Sequence, residues 1–304
     1  MPDTQRDEAF TTFRPLLFSI AYRMLGSAMD AEDMVQDTYL RWQRAGPDPV
    51  QEPKAFLTTA ITRLCIDYLR SARVQRESYI GPWLPEPLLT APGGGPAEKV
   101  AERESLSMAF LVMLERLSPV ERAAFLLREV FNHDYGELAD ILETSPANAR
   151  QLVSRARRKL GGLRPDRVRY TAAPEQQMAL AGQFAQAMVS GDMDRVLRLL
   201  APDIRLVSDG GGKAAAALRP IEGAEAVANF FLRLARIAPP GTAGSFAWVN
   251  GQVALVTYED GEVTTVYVPV IEDGRITTFY ALRNPDKLRS LPRQDEAPGV
   301  FPLA

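Results

Sequence analysis

The chain has 304 residues, 46% of them hydrophobic, 35 basic and 38 acidic side chains, a formal net charge of −3 and one cysteine. The length is about twice that of a typical domain, so two or three compact units are expected. A single cysteine excludes an intramolecular disulfide and a cysteine-rich zinc site, and the absence of any uncharged apolar run of about 18 residues excludes a membrane-spanning helix. The polar start MPDTQRDEAF is unlike a signal peptide, and the expected compartment is the cytoplasm.

The first 76 residues read as helices. Phe10, Phe13, Leu17, Ile20, Ala21 and Met24 recur at helical spacing, and Gly26-Ser27 breaks the pattern. Asp30, with Asp33 three residues on, suits the start of a second helix carrying Met34, Val35, Thr38, Tyr39 and Trp42. After the turn AGPDPVQEP, Pro53 opens a third helix with Phe56, Leu57, Ala60, Ile61, Leu64, Cys65 and Tyr68 on its apolar side. Residues 77–97 are dense in proline and glycine and form a linker. Tyr79, Trp83 and several leucines make that linker too apolar to be freely solvated, so it is expected to dock.

Helices resume in a unit spanning 98–163. Ser118 suits a cap, with Pro119 at the first helical position and Glu121 at the third. A helix near Tyr135–Leu142, a polar turn (Glu143–Ser145) and a second helix from Pro146 to about Leu160 have helix-turn-helix spacing. From Pro174 the texture becomes α+β. Two helical runs meet at Gly191-Asp192, and β-prone runs follow at 204–208, 213–218, 245–249, 252–258, 262–271 and 275–282. Asn250-Gly251, Asp260-Gly261 and Asp273-Gly274 are hairpin signals, and a helix near 224–236 interrupts the strands. The expected fold is a curved antiparallel sheet over 174–290, with 291–304 a loose tail.

Near-neutral net charge conceals stripes of one sign. Residues 144–160 hold Arg150, Arg155, Arg157, Arg158 and Lys159 and no acid. Residues 53–76 hold Lys54, Arg63, Arg70, Arg73 and Arg76 against Asp67 alone, whereas 30–37 hold Asp30, Glu32, Asp33 and Asp37 and no base. Screening separates such stripes beyond roughly 8–10 Å, so a weakly acidic protein still presents local nucleic-acid surfaces. In the helix starting at Pro146, Ala149, Leu152, Val153, Ala156 and Leu160 can pack inward. Asn148, Arg150, Gln151, Ser154, Arg155 and Arg158 then face outward, with the chemistry that reads adenine, guanine and phosphate. A solvated basic helix end explains the same arginines equally simply. The acidic helix has no histidine near it, and a docking face for a basic partner fits better than an acid–base pair.

Three segments carry a resemblance. LGSAMDAEDMVQDTYLRW and PKAFLTTAITRLCIDYLRSARVQRE resemble region 2 of the extracytoplasmic-function sigma factors, and LERLSPVERAAFLLREVFNHDYGELADILETSPANARQLVSRARRKL resembles region 4. WLPEP, DGGGK and NPDKL resemble the hallmarks of members with a fused SnoaL-like C-terminal domain. The resemblance implies a multidomain fold: an all-α helical bundle (1–76), an all-α helix-turn-helix domain (98–163) and an α+β cone-shaped SnoaL-like domain. It implies core RNA polymerase, through its β′ clamp and β flap, and promoter DNA as partners, with Asp33, Gln36 and Asp37 on polymerase. Arg63, Asp67, Arg70 and Arg73 are implied at the −10 element, and Asn148, Arg150, Gln151, Ser154 and Arg155 at the −35 element. Ala147 departs from the glycine or β-branched residue of many relatives, which touches the individual base contacts. Trp83, Leu84, Pro85, Asp209, Gly210, Gly211, Gly212, Lys213, Asn284, Pro285 and Asp286 are implied in interdomain regulation, with DGGGK a tight hairpin beside the linker.

No catalytic, cofactor or metal residues are assigned. The one histidine, His133, lies in the helix-turn-helix unit, and Asp203, Asp209 and Tyr258 are the candidates for lining a cone pocket, where a small ligand has room to bind. Two alternatives stay open: a one-component helix-turn-helix regulator with a sensing domain, and a SnoaL-type isomerase or cyclase.

Overall fold

The computed structural model describes residues 3–45, 52–90, 106–161 and 172–303, without the side chains of 3–5 and 72–77. The turn at 46–51, the glycine-rich end of the linker from 91 and the stretch 98–105 lie outside the described residues, as does the side chain of Arg73. The chain divides into two compact units, residues 1–77 with 110–168 and residues 78–109 with 169–304.

The first unit is helical: α1 (Asp3–Leu25), α2 (Ala28–Arg44), α3 (Pro53–Glu77), α4 (Met108–Leu114), α5 (Pro119–Glu129), α6 (Tyr135–Ile141) and α7 (Pro146–Lys159). The stripe expected on α1 is its core face, with Leu17, Ile20, Ala21 and Met24 buried beside Leu57, Ile61 and Cys65 of α3. Burial pushes the Cys65 thiol above its ordinary range, which makes it a packing residue rather than a nucleophile. Trp42 is fully buried; its indole N–H donates to the Arg6 carbonyl at 3.0 Å and its ring meets Phe56 at 5.5 Å. The second helix starts earlier than expected. Gly26, at φ +70°, closes α1 and leaves Ser27 extended, so the Ser27 hydroxyl, not Asp30, caps α2 by accepting the Asp30 N–H at 3.2 Å.

Ser118 and Glu121 form the expected reciprocal cap of α5, and Asp134 with Glu137 repeats it on α6. Leu138, Ile141, Ala149, Leu152 and Val153 pack on Ala124 and Leu127, which fixes α6 and α7 on α5. Lys159 bridges back to Glu121 at 2.7 Å. Helices α1 and α3 also pack directly on α5, where the buried Arg122 donates to the Met24 carbonyl at 2.6 Å and to Glu115 at 2.8 Å.

The second unit contains α8 (Pro174–Ser190), α9 (Met193–Leu199), β1 (Leu200–Asp209), β2 (Ile221–Glu222), α10 (Ala224–Ile237), β3 (Ala243–Val249), β4 (Gln252–Glu259), β5 (Glu262–Glu272), β6 (Arg275–Leu282) and β7 (Phe301–Pro302). The strands form one sheet in the order β2-β1-β6-β5-β4-β3-β7. All three expected hairpin turns are present, each with an Asn or Asp and then a Gly at positive φ. Register shifts at Thr257/Tyr258 and Val270/Ile271 bend the sheet, and α8 and α10 pack Phe184 and Phe231 onto Tyr267 and Phe279.

Three expectations need correction. The sheet is mixed, because β1 runs parallel to β6. Residues 213–218 form no strand; the glycines before them turn the chain too tightly, with Lys213 and Ala214 both donating to the Gly210 carbonyl. The chain beyond 290 is no loose tail: β7 adds to β3, and Leu303 N–H donates to the Thr242 carbonyl at 2.9 Å.

Two measurements test this frame. Ser118→Ala removes the side-chain half of the α5 cap and is expected to cost about 1 kcal/mol, read as a lower midpoint in thermal unfolding. The Glu121 carboxyl is lowered from its ordinary 4.5: burial raises it, but Lys159 and the Ser118 N–H and hydroxyl outweigh burial. A depressed carboxyl stabilises the fold above its unfolded pKa, and that contribution is lost as pH falls through the folded value. The urea-midpoint gap between the parent and Glu121→Gln should therefore narrow below about pH 4.5.

Candidate nucleic-acid interface

Helix α7 has two faces. Ser145 caps it by accepting the Asn148 N–H at 3.2 Å, and Glu143, at φ +51°, turns the chain between α6 and α7. Ala149, Leu152, Val153, Ala156 and Leu160 are buried, while Asn148, Arg150, Gln151, Ser154, Arg155 and Arg158 are exposed. The five residues assigned to the −35 element thus share one solvent-facing surface. Asn148 Nδ2 donates to Thr144 at 2.7 Å, and Arg150 lies over the Tyr135 ring at 5.1 Å. Arg155 reaches Glu121 only at 4.0 Å, whereas Arg157 is committed to Glu129 at 2.6 Å. The structure therefore separates the arginines: Arg157 holds the fold, and Arg150, Arg155 and Arg158 face outward.

On α2, Asp33, Gln36 and Asp37 are exposed on one face together with Leu40, which is 49% exposed. Neither carboxylate pairs with a base among the described residues. On α3, Asp67 and Arg70 are exposed and form an ion pair at 3.4 Å, too well solvated to add much stability. Arg63 is engaged differently. Its guanidinium donates to the carbonyls of Ile141 and Asp140, both at 2.9 Å, and pairs with Glu143 at 2.8 Å. A guanidinium at a helix C-terminus meets carbonyls that have no intrahelical partner, and the helix dipole favours it there.

In the second unit, the docking expected of the linker centres on Asp209. Its side chain is fully buried, at the end of β1. One carboxylate oxygen accepts from the Tyr79 hydroxyl at 2.6 Å; the other accepts from the Leu84 N–H at 2.8 Å and Lys287 Nζ at 2.7 Å. Its backbone carbonyl takes the N–H groups of Arg283 and Asn284. Lys287 also donates to the Leu84 carbonyl and lies over the Trp83 ring at 4.3 Å. Asn284 Nδ2 donates to the Tyr79 hydroxyl at 2.9 Å. Burial, followed by the neighbouring Asp209 carboxylate, pushes the Tyr79 phenol above its ordinary range, so it stays a donor. Leu84 and Pro85 are buried.

The glycines are required by contact. A Cβ on Gly210 would sit 2.2 Å from the Ala214 carbonyl oxygen, and one on Gly211, at φ +57°, 2.3 Å from Asn284 Nδ2. Gly212 and Lys213 are exposed, Lys213 pairs with Asp286, and Pro285 opens a short 3-10 turn capped by Asn284. Three partners went unassigned in the sequence. Tyr79 was signalled only as an aromatic in a proline-rich segment, and Lys287 only by its place in NPDKL. Asn250 read as a hairpin turn, yet it is buried and holds Leu88 and Leu106 through both ends of its amide. The pocket residues are also corrected: Asp209 grips the linker, Tyr258 is buried against Ser245 at 2.9 Å, Asp203 is exposed, and none of them lines the cone's cavity.

Asp209→Asn keeps the shape but leaves Lys287, whose side chain is only 13% exposed, without its counter-charge. Losing one member of a buried pair costs about 3–5 kcal/mol. The expected result is faster amide exchange over 78–90, which unchanged exchange in that segment would contradict.

The sequence matches the families Sigma-70 region 2 over residues 9–74 and Sigma-70, region 4 over residues 107–160. It is 38% identical over 300 residues to the ECF RNA polymerase sigma factor SigJ of Mycobacterium tuberculosis, covering 94% of each chain. It is 31% identical over 275 residues to the probable ECF RNA polymerase sigma factor SigI of the same species, covering 86% of this chain and 92% of that one. The crystal structure of M. tuberculosis SigJ superposes with a TM-score of 0.73 at 35% identity, over 91% of this chain and 97% of that one. In the second unit, where a SnoaL-like domain was expected, the curved sheet is mixed rather than antiparallel throughout. The chain belongs to the extracytoplasmic-function sigma factors, transcription initiation factors, not enzymes, that bring core RNA polymerase to promoter DNA.

Proposed function

We propose that the work of this sigma factor is divided among three surfaces. The exposed face of α2, with Asp33, Gln36 and Asp37, docks on the β′ clamp of core polymerase, and the helix-turn-helix unit meets the β flap. Helix α7 reads the −35 element through Asn148, Arg150, Gln151, Ser154 and Arg155. Helix α3 serves the −10 element through Arg63, Asp67, Arg70 and Arg73. The cytoplasm, where polymerase works, is its compartment.

One observation carries this reading: the side chains able to read DNA share the exposed face of α7, while its opposite face is closed into the core. A solvated basic helix end would account for the arginines alone; Asn148 and Gln151 on the same face add the amides that pair with adenine. Each promoter module is weak alone. Polymerase holds the two at fixed spacing, which raises the effective concentration of the second once the first has bound. On this reading Arg63, which donates to the carbonyls of Asp140 and Ile141, exchanges those bonds for DNA when the −10 element is engaged. The SnoaL-like domain acts on the two promoter modules through the linker that Asp209 holds, in the role of a built-in regulator.

Asp33→Arg with Asp37→Arg reverses the charge of the docking face without touching the core. Binding to purified core polymerase is expected to be lost while the melting temperature is unchanged; undiminished binding would instead favour a regulator that works without polymerase. In run-off transcription with the same core enzyme, a chain ending at Ala172 should differ measurably from the full chain. Equal promoter output would remove the regulatory role of the SnoaL-like domain.

A further inference from the structure

The SnoaL-like domain holds a partly open cavity of about 310 Å³. That lies at the lower end of the range for small-molecule sites, which are mostly apolar with a few placed polar groups. Interiors otherwise pack to the density of organic crystals, so a space of this size between packed elements is a shaped feature. Its apolar side is built by Phe184, Met188, Phe231, Leu234, Phe246 and Phe279 from both helical and sheet layers. Its polar wall comes from consecutive strands: Thr257 and Glu259 of β4, Thr264, Thr265 and Tyr267 of β5, and Arg283 just beyond β6.

Two details of that wall define a ligand. Arg283 gives one terminal nitrogen to the Ala215 carbonyl, while its buried Nε has no hydrogen-bond partner among the described residues. A buried donor without a partner carries a desolvation cost that an accepting oxygen would remove. Tyr267 is buried, and that burial holds its phenol above the ordinary range, so its hydroxyl remains protonated. The formal charges of Glu259 and Arg283 cancel, so the wall offers donors without a net positive field. A carboxylate or sulfonate ligand would meet Glu259 as well as Arg283, whereas an uncharged carbonyl meets no such opposition.

We infer that this cavity is a binding site for an uncharged, ring-containing apolar molecule whose carbonyl oxygen faces Arg283. The inference deepens the regulatory reading of the SnoaL-like domain, and it stands on cavity geometry that does not involve polymerase. The site also adjoins the linker clamp, since the backbone N–H of Arg283 donates to the Asp209 carbonyl at 2.7 Å. A molecule seated against the Arg283 side chain therefore touches the residue next to the Asn284 that orients Tyr79.

The test uses the full chain and prodan, an uncharged naphthalene ketone whose emission shifts to the blue in apolar surroundings. Anilinonaphthalene sulfonate, of similar size but anionic, serves as the comparison. The expected result is saturable binding of prodan at one site per chain, tighter than that of the anion. Arg283→Met should weaken it about tenfold or more, the equivalent of one lost hydrogen bond to a charged donor. Ala235→Phe, which projects a ring into the cavity, should abolish it; thermal unfolding of both variants checks that the fold is kept. Absence of saturable binding to the parent chain, preference for the anion, or equal affinity in Arg283→Met overturns the inference. Because no polymerase is present, that failure is separate from a failure of the transcriptional role, which run-off transcription reads.

Discussion

The buried carboxylate of Asp209 is the interaction on which the second unit's arrangement depends. A fully buried ionised group is tolerated only where hydrogen bonds and a counter-charge replace water. Here a phenol, a backbone N–H and an ammonium supply three donors. Two of the three belong to the linker and one to the segment after β6, so satisfying one charge fixes two distant stretches of chain. The cost of leaving any of these donors unmade keeps the proline-rich segment on the domain. Asn250 does the same work further along, with no charge involved, by bonding Leu88 and Leu106.

The glycines of DGGGK follow from that constraint. Tyr79 and Asn284 meet beside Asp209 and leave no room for a Cβ at Gly211, while at Gly210 the room is taken by Ala214 and Ala216 of the turn itself. Side-chain chemistry at Asp209 and backbone freedom next to it are thus two halves of one device. The cavity shares this framework, because β6 ends between its polar wall and the clamp.

In the helical unit, the same rule sorts arginines by what they face. Arg122 is 3% exposed and satisfied by a carbonyl and Glu115, so it belongs to the core. Arg157 is tied to Glu129. Arg150, Arg155 and Arg158 lie on the surface of a helix whose other side is apolar, where water screens their mutual repulsion and counterion release would reward binding to phosphate. Arg63 lies between these cases, on carbonyls at the end of α6, with its guanidinium still partly exposed. Its bonds join α3 to the end of α6 and so tie two helices that are far apart in the sequence.

By itself the sequence determined the elements governed by local rules. Helical periodicity, the Ser118 cap, the inward and outward faces of α7 and the Asn-Gly and Asp-Gly turns all depend on residues within a few positions of one another. The docking of the linker was legible too, because Trp83 and its neighbours were too apolar for water. Tertiary structure alone decided what depends on partners far along the chain. The pairing of β1 with β6 in parallel, the return of Phe301–Pro302 to β3 and the capture of Arg63 by α6 join residues separated by tens of positions. Tyr79 and Lys287 became visible as one site for the same reason: an aromatic in the linker and a lysine in NPDKL say nothing of each other, and only the folded chain brings both to Asp209. Local propensity carries information over a turn or two of helix, whereas a buried charge recruits its donors from wherever the fold delivers them.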